Sequence, residues 1–129
     1  MKYLNLEKIS YFYTLKEPVP TTPDMWNLFL FLTSDYGSGW TTFKDWLNTP
    51  EYIEIGGNTT HLEKKDDTIR ILDLFDFDKN EDEAYKNAFI ISKDEFLKLL
   101  EKWEALYKLF PNEIMITYDN DKLTIEGID

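Results

Sequence analysis

The apolar residues between Ala88 and Ile125 change period twice, and no other stretch constrains the fold as closely. Ala88-Phe-Ile-Ile91 is a short continuous apolar run of strand length, ending at Ser92. Ser92-Lys-Asp-Glu95 then has the spacing of a capping box, in which the serine and glutamate side chains satisfy each other's backbone donors at a helix start. Beyond it, apolar residues fall at 96, 99, 100, 103, 106, 107 and 110, with Lys93, Glu101, Lys102, Glu104 and Lys108 on the other side. That spacing is helical, and Pro111 stops the helix. Ile114, Ile116 and Tyr118 alternate along a strand, Asn120-Asp121 form a turn, and Leu123 and Ile125 alternate on the returning strand. A one-faced helix between strands joined by hairpins predicts an α+β fold.

The rest of the chain agrees. Residues 2–14, with Tyr3, Ile9 and Tyr11-Phe12-Tyr13, predict one or two short strands. Pro18 to Pro23 is a stiff connector, with Thr22 as a helix N-cap and Pro23 at the first helical position. Met25, Trp26, Leu28, Phe29, Leu30, Phe31 and Leu32 are apolar nearly all round, which predicts a deeply buried helix broken at Gly37 and Gly39. A second short helix starts after Thr41 or Thr42, carries Phe43, Trp46 and Leu47, and stops before Pro50. From Tyr52 a hairpin runs up through His61 and Leu62, turns at Lys64–Asp67 and returns through Ile69, Ile71, Leu72, Leu74 and Phe75. Asp78 to Asn87 reads as a polar loop. No repeat or linker divides the chain. The expectation is a single domain over residues 1–129, mainly an antiparallel sheet packed with two or three helices.

Charge narrows the function. Twenty-five acids against 14 bases leave a net charge of −11, and Arg70 is the only arginine. Direct binding to nucleic-acid phosphates or to an anionic membrane would need the opposite sign. An acidic field attracts basic molecules instead. The longest apolar run, Leu28 to Leu32, is far short of a membrane span. The absence of cysteine excludes disulfides and thiolate metal sites, and with the polar N-terminus it points to the cytoplasm.

Catalytic and metal chemistry find little support. His61 is the only histidine, so histidine and cysteine cannot assemble a zinc cluster; a triad could use only His61, and no serine has the glycine-flanked elbow around it. Asp76-Phe-Asp78-Lys-Asn80 copies the first three ligand positions of an EF-hand loop, but Glu81 replaces its glycine and Asn87 its bidentate glutamate. Trp26, Trp46 and Trp103 fall on apolar helix faces and predict core packing; Trp40 is the candidate exposed aromatic. No catalytic residue, metal ligand or cofactor is assigned. What remains is the acidic run of Asp73, Asp76, Asp78, Glu81, Asp82 and Glu83, relieved only by Lys79. It is either a solvated loop or a surface that presents carboxylates to a basic partner. Asp73 and Asp76 lie in a stretch otherwise read as apolar strand, where a charge must face solvent, an edge or a partner. Acids at 51, 54, 63, 66, 67, 119 and 121 are the alternatives.

Three pieces of the C-terminal half carry a family likeness. They are Phe89-Ile-Ile-Ser-Lys-Asp-Glu-Phe-Leu with Trp103-Glu104 on the following helix, then Pro111-Asn-Glu-Ile-Met-Ile-Thr, then Asp119-Asn-Asp-Lys-Leu-Thr-Ile. Over about residues 69–126 the chain resembles bacterial immunity proteins, the cytosolic antidotes of contact-dependent growth inhibition and related polymorphic toxin systems. The resemblance implies a non-enzymatic protein that binds and neutralises one cognate toxin C-terminal domain. Many such toxins are nucleases, whose basic clefts an acidic protein can occupy. Contact residues in these families are peculiar to each pair, so the six acids come from the charge reading alone. Three alternatives stand beside it: an acidic nucleic-acid mimic that inhibits a DNA-binding protein, an enzyme acting on glycans through a carboxylate pair, and a structural or accessory subunit.

Overall fold

The computed structural model describes residues 1–17, 22–36 and 40–129, the side chains of residues 40 and 41 excepted. Two hairpin-built sheets emerge, joined through helices. In chain order the elements are β1 (Lys2–Ile9), β2 (Phe12–Leu15), α1 (Pro23–Leu30), α2 (Trp40–Leu47), β3 (Glu54–Gly56), β4 (Thr60–Lys65) and β5 (Thr68–Asp73). They continue with α3 (Leu74–Lys79), α4 (Glu81–Lys86), β6 (Phe89–Ser92), α5 (Lys93–Leu109), β7 (Glu113–Asp119) and β8 (Lys122–Ile128). The antiparallel α+β class is as expected, but the strands divide into two four-stranded sheets, β2-β1-β7-β8 and β3-β4-β5-β6. The division arises because β1 pairs with β7 across the whole chain, setting Leu4 opposite Ile116 and Leu6 opposite Ile114.

One core serves both sheets. Leu4 and Leu6 of β1, Ile114 and Ile116 of β7, Leu62 of β4, Ile69 and Ile71 of β5 and Phe89 and Ile91 of β6 all face it. Helix α1 lies against β1 on one side and β5 and β6 on the other, while α5 spans β8, β5 and β6. The apolar stripe of α5 takes the predicted register: Phe96, Leu99, Leu100 and Trp103 are buried, and Leu106, Tyr107 and Phe110 pack at the margin. Phe110 ends the helix in the left-handed conformation, its amide donating to the Leu106 carbonyl before Pro111. Asn120 and Asp121 both have positive φ, as a tight two-residue hairpin turn requires.

Helix α1 corrects one expectation. It starts at Pro23 after Thr22, as read, but it is not buried all round: Met25 and Leu28 are buried, whereas Trp26 is 42% exposed. Beyond Leu30 the chain widens into a π-helical turn over Phe31–Tyr36. Its i→i+5 register brings residues five apart onto one face, and the Phe31 and Tyr36 rings meet at 5.6 Å in the core. The connector at Pro18–Thr21, the glycines at 37 and 39 and the Trp40 side chain lie outside the described residues.

The C-terminal capping box forms only in half. The Ser92 hydroxyl accepts from the Glu95 amide at 3.3 Å, as expected. The reciprocal bond does not form. Glu95 instead accepts from the Leu123 amide of β8, and the Ser92 amide donates to Asp121 in the β7–β8 turn at 3.0 Å. Tyr118 adds a hydroxyl bond to the Ile90 carbonyl at 2.8 Å. One sheet's terminal hairpin is thus clipped onto the last strand of the other.

Candidate functional site

Strand alternation gives β4 and β5 two different faces. Leu62, Ile69 and Ile71 point into the main core, so His61, Glu63, Arg70 and Leu72 point out the other side. The outward face is where the acidic segment lies. It is neither strand nor loop, as the sequence suggested, but a pair of short helices, α3 and α4, folded over β4 and β5. Leu72, Ala84 and Ala88 form a small second core beneath them, with Phe77 and Tyr85 packed around it.

The reason the strand stops at Asp73 is a cap. Asp73 carries extended backbone angles and its carboxylate accepts from the Asp76 amide at 3.1 Å, starting α3. Asn80 ends α3 and caps α4 in turn, accepting from the Glu83 amide at 3.3 Å. Glu81, Asp82 and Glu83 occupy the first turn of α4, where negative charge is favoured by the helix dipole. The six acids therefore separate by role. Asp73 is a half-buried cap and Asp76 a half-buried first-turn residue, whereas Asp78, Glu81, Asp82 and Glu83 are exposed.

The helical placement also removes the calcium loop. Asp76 and Asp78 sit on α3, and Asn80 is occupied by capping, so these oxygens cannot wrap one ion as an EF-hand loop does. Millimolar calcium should leave the melting temperature unchanged, and chelator should not lower it. A rise of many degrees with calcium, reversed by chelation, would contradict this assignment.

Beside the exposed acids the surface is apolar. Phe75 is 66% exposed on α3, with the Lys79 ammonium 4.8 Å above its ring. Phe75, Leu74, Asp73, Asp78 and Thr59 line an open groove of about 390 Å³. An aromatic side chain rimmed by carboxylates is a suitable seat for a cationic side chain.

Under the helices lies a second polar group that a count of histidine and cysteine ligands could not reveal. His61 stacks on Phe77 with ring centroids 4.2 Å apart and planes 17° from parallel. Its Nε2 lies 3.4 Å from Glu54 on β3 and 3.4 Å from Glu63 on β4. Tyr85 of α4 donates its hydroxyl to Glu63 at 2.5 Å. That hydrogen bond, with burial, pushes the phenol up to about 12, so it remains a donor at neutral pH. The Arg70 guanidinium lies 6.0 Å from the Tyr85 ring centroid. The one available sequence signal was the i, i+2 spacing of His61 and Glu63 on a strand; Glu54 joins them only through the β3–β4 register.

Trp46 and Trp103 are core residues, as read from their helix faces. Comparison with protein-family models, with curated proteins and with solved structures found no match for this chain. No helix among the described residues is long and apolar enough to cross a membrane.

Proposed function

We propose that this protein is an immunity-type inhibitor, which binds the basic C-terminal domain of a cognate toxin, a nuclease in the first instance, through the acidic face of α3 and α4. The observation that carries the reading is that four carboxylates, Asp78, Glu81, Asp82 and Glu83, are exposed on α3 and α4, with Asp78 lining the groove of the exposed Phe75. The net charge of −11 and the resemblance of residues 69–126 to immunity proteins support it. A nuclease binds phosphates with lysine and arginine, and those side chains are the ones this face would receive. Clustered carboxylates would steer such a cleft toward the groove, where an arginine or lysine could displace Lys79 from the Phe75 ring, between Asp73 and Asp78.

The test uses the fourfold variant Asp78→Asn, Glu81→Gln, Asp82→Asn, Glu83→Gln, which leaves the caps Asp73 and Asn80 intact. Exposed charges contribute little to folding, and the loss of three first-turn charges of α4, offset by relief of the repulsion among them, should move its melting temperature by only a few degrees. Association with the C-terminal domain of the toxin encoded beside its gene should slow by roughly tenfold or more, with a shallower dependence on salt. Protection of cells against that toxin should fall in parallel. Unchanged association and unchanged salt dependence would remove α3 and α4 from the interface. Capture of a DNA-binding protein in the toxin's place, through the same carboxylates, would favour the nucleic-acid mimic.

A further inference from the structure

The geometry points to a site for a borderline divalent transition cation, zinc in the first instance, formed by His61 Nε2 and one carboxylate oxygen each of Glu54 and Glu63. The donor atoms of these three residues all lie within 4.8 Å of one another. The two histidine–carboxylate separations, both 3.4 Å, are long for hydrogen bonds. They match the edge of a tetrahedron whose centre is about 2.1 Å from each corner, the usual zinc–nitrogen and zinc–oxygen bond length.

Three further features suit a cation. Glu54 and Glu63 are direct cross-strand partners, with Arg70 opposite Glu63 on its other side, and a cation between the two carboxylates would offset their mutual repulsion. Two of the ligands are already held: Phe77 fixes the plane of the His61 ring, and Tyr85 donates to Glu63 Oε2, the same oxygen that faces His61, leaving it a further lone pair. The third, Glu54, has a side chain 53% exposed and can swing to close the set. Gly56 is the cross-strand partner of His61, and even a Cβ there would meet nothing within 4 Å. That side is open, leaving room for a water in the fourth position. A nitrogen donor with two carboxylates favours zinc over calcium or magnesium, which take oxygen donors.

The site lies beneath the partner-binding face, with Phe77 and Tyr85 on the same two helices, but its three ligands are on β3 and β4, and the experiment keeps the two apart. Zinc chloride is titrated calorimetrically into the chelator-treated full chain, and cobalt(II) is added in parallel as a visible-absorption reporter of tetrahedral geometry. We expect saturable one-to-one zinc binding and an intense cobalt band. His61→Gln and Glu63→Gln should each weaken zinc by at least about tenfold, and Tyr85→Phe, which touches no metal, by roughly 10–100-fold. Glu54→Gln, at an exposed position, should do the same without altering the zinc-free melting temperature. The fourfold variant in α3 and α4 should bind zinc like the parent, whether or not it binds a toxin. Multiple weak sites that persist in His61→Gln and Glu54→Gln would show zinc collecting on diffuse surface acids and would overturn the proposal, as would the absence of saturable binding.

Discussion

Trp103→Ala should destabilise the protein by about 3–5 kcal/mol, the usual cost of truncating a buried tryptophan, and leave it partly or wholly unfolded at 37 °C. Trp103 is fully buried at the centre of the α5 stripe, among Phe96, Leu99 and Leu100. Its ring meets Tyr13 of β2 edge-on at 6.1 Å and Tyr107 at the same separation, so it joins the helix to the edge of the N-terminal sheet. Tyr13 is itself anchored, its hydroxyl donating to the Pro111 carbonyl at 2.6 Å. Removing the indole opens a cavity between α5 and β2. The indole nitrogen has no hydrogen-bond partner among the described residues, so Trp103→Phe discards an unpaired donor along with volume and should cost distinctly less. Thermal melts of the two variants check both statements. A Trp103→Ala protein melting within a degree or two of the parent would mean that the indole does not fill the core.

The second large effect is expected at Asp35, which carries no partner-binding role in this reading. Its carboxylate accepts from the amides of Asn58, Thr59 and Thr60 at 2.7, 2.9 and 2.7 Å, and from the hydroxyls of Thr59 and Thr60. Thr60 is fully buried at the start of β4, where an unpaired amide and hydroxyl would be desolvated without compensation. Asp35→Ala strands these donors together and should cost about 3 kcal/mol. The close approach depends on Gly57: a Cβ there would lie 2.4 Å from the Asp35 Cγ. Gly57→Ala should therefore reproduce much of the loss. Both variants should release the β3–β4 connection, seen as faster amide exchange at residues 58–60. Protection unchanged in Asp35→Ala would show that the loop holds its shape without the carboxylate.

Local pattern carried much of this fold. The helical spacing from 96 to 110 fixes which face of α5 is buried, because only that face can remove its side chains from water together. The alternation at Ile114 and Ile116, the Asn120-Asp121 turn and the start of α1 at Pro23 likewise follow from backbone preferences that neighbours in the chain decide among themselves. The acidic run was legible as a charge cluster for the same reason: its members are adjacent in sequence.

Polar partners were decided elsewhere. Asp73 read as a charge awkwardly placed on an apolar strand, yet its carboxylate ends that strand by capping α3. Glu95 had a local partner in the Ser92 amide, but Asp121, 29 residues away, took that donor and left Glu95 free to hold β8. Trp26 belongs to an apolar run and is still 42% exposed, since burial follows the packing of α1 on β1, β5 and β6 and not the composition of the run. The approach of Glu54 to His61 and Glu63 exists only because β3 and β4 pair in one register, and a slip of one residue would turn them to opposite faces. Periodicity in the sequence determines which face of an element must be buried. Which element covers it, and which distant donor meets each carboxylate, depends on competition among groups that only the folded chain brings within hydrogen-bond range.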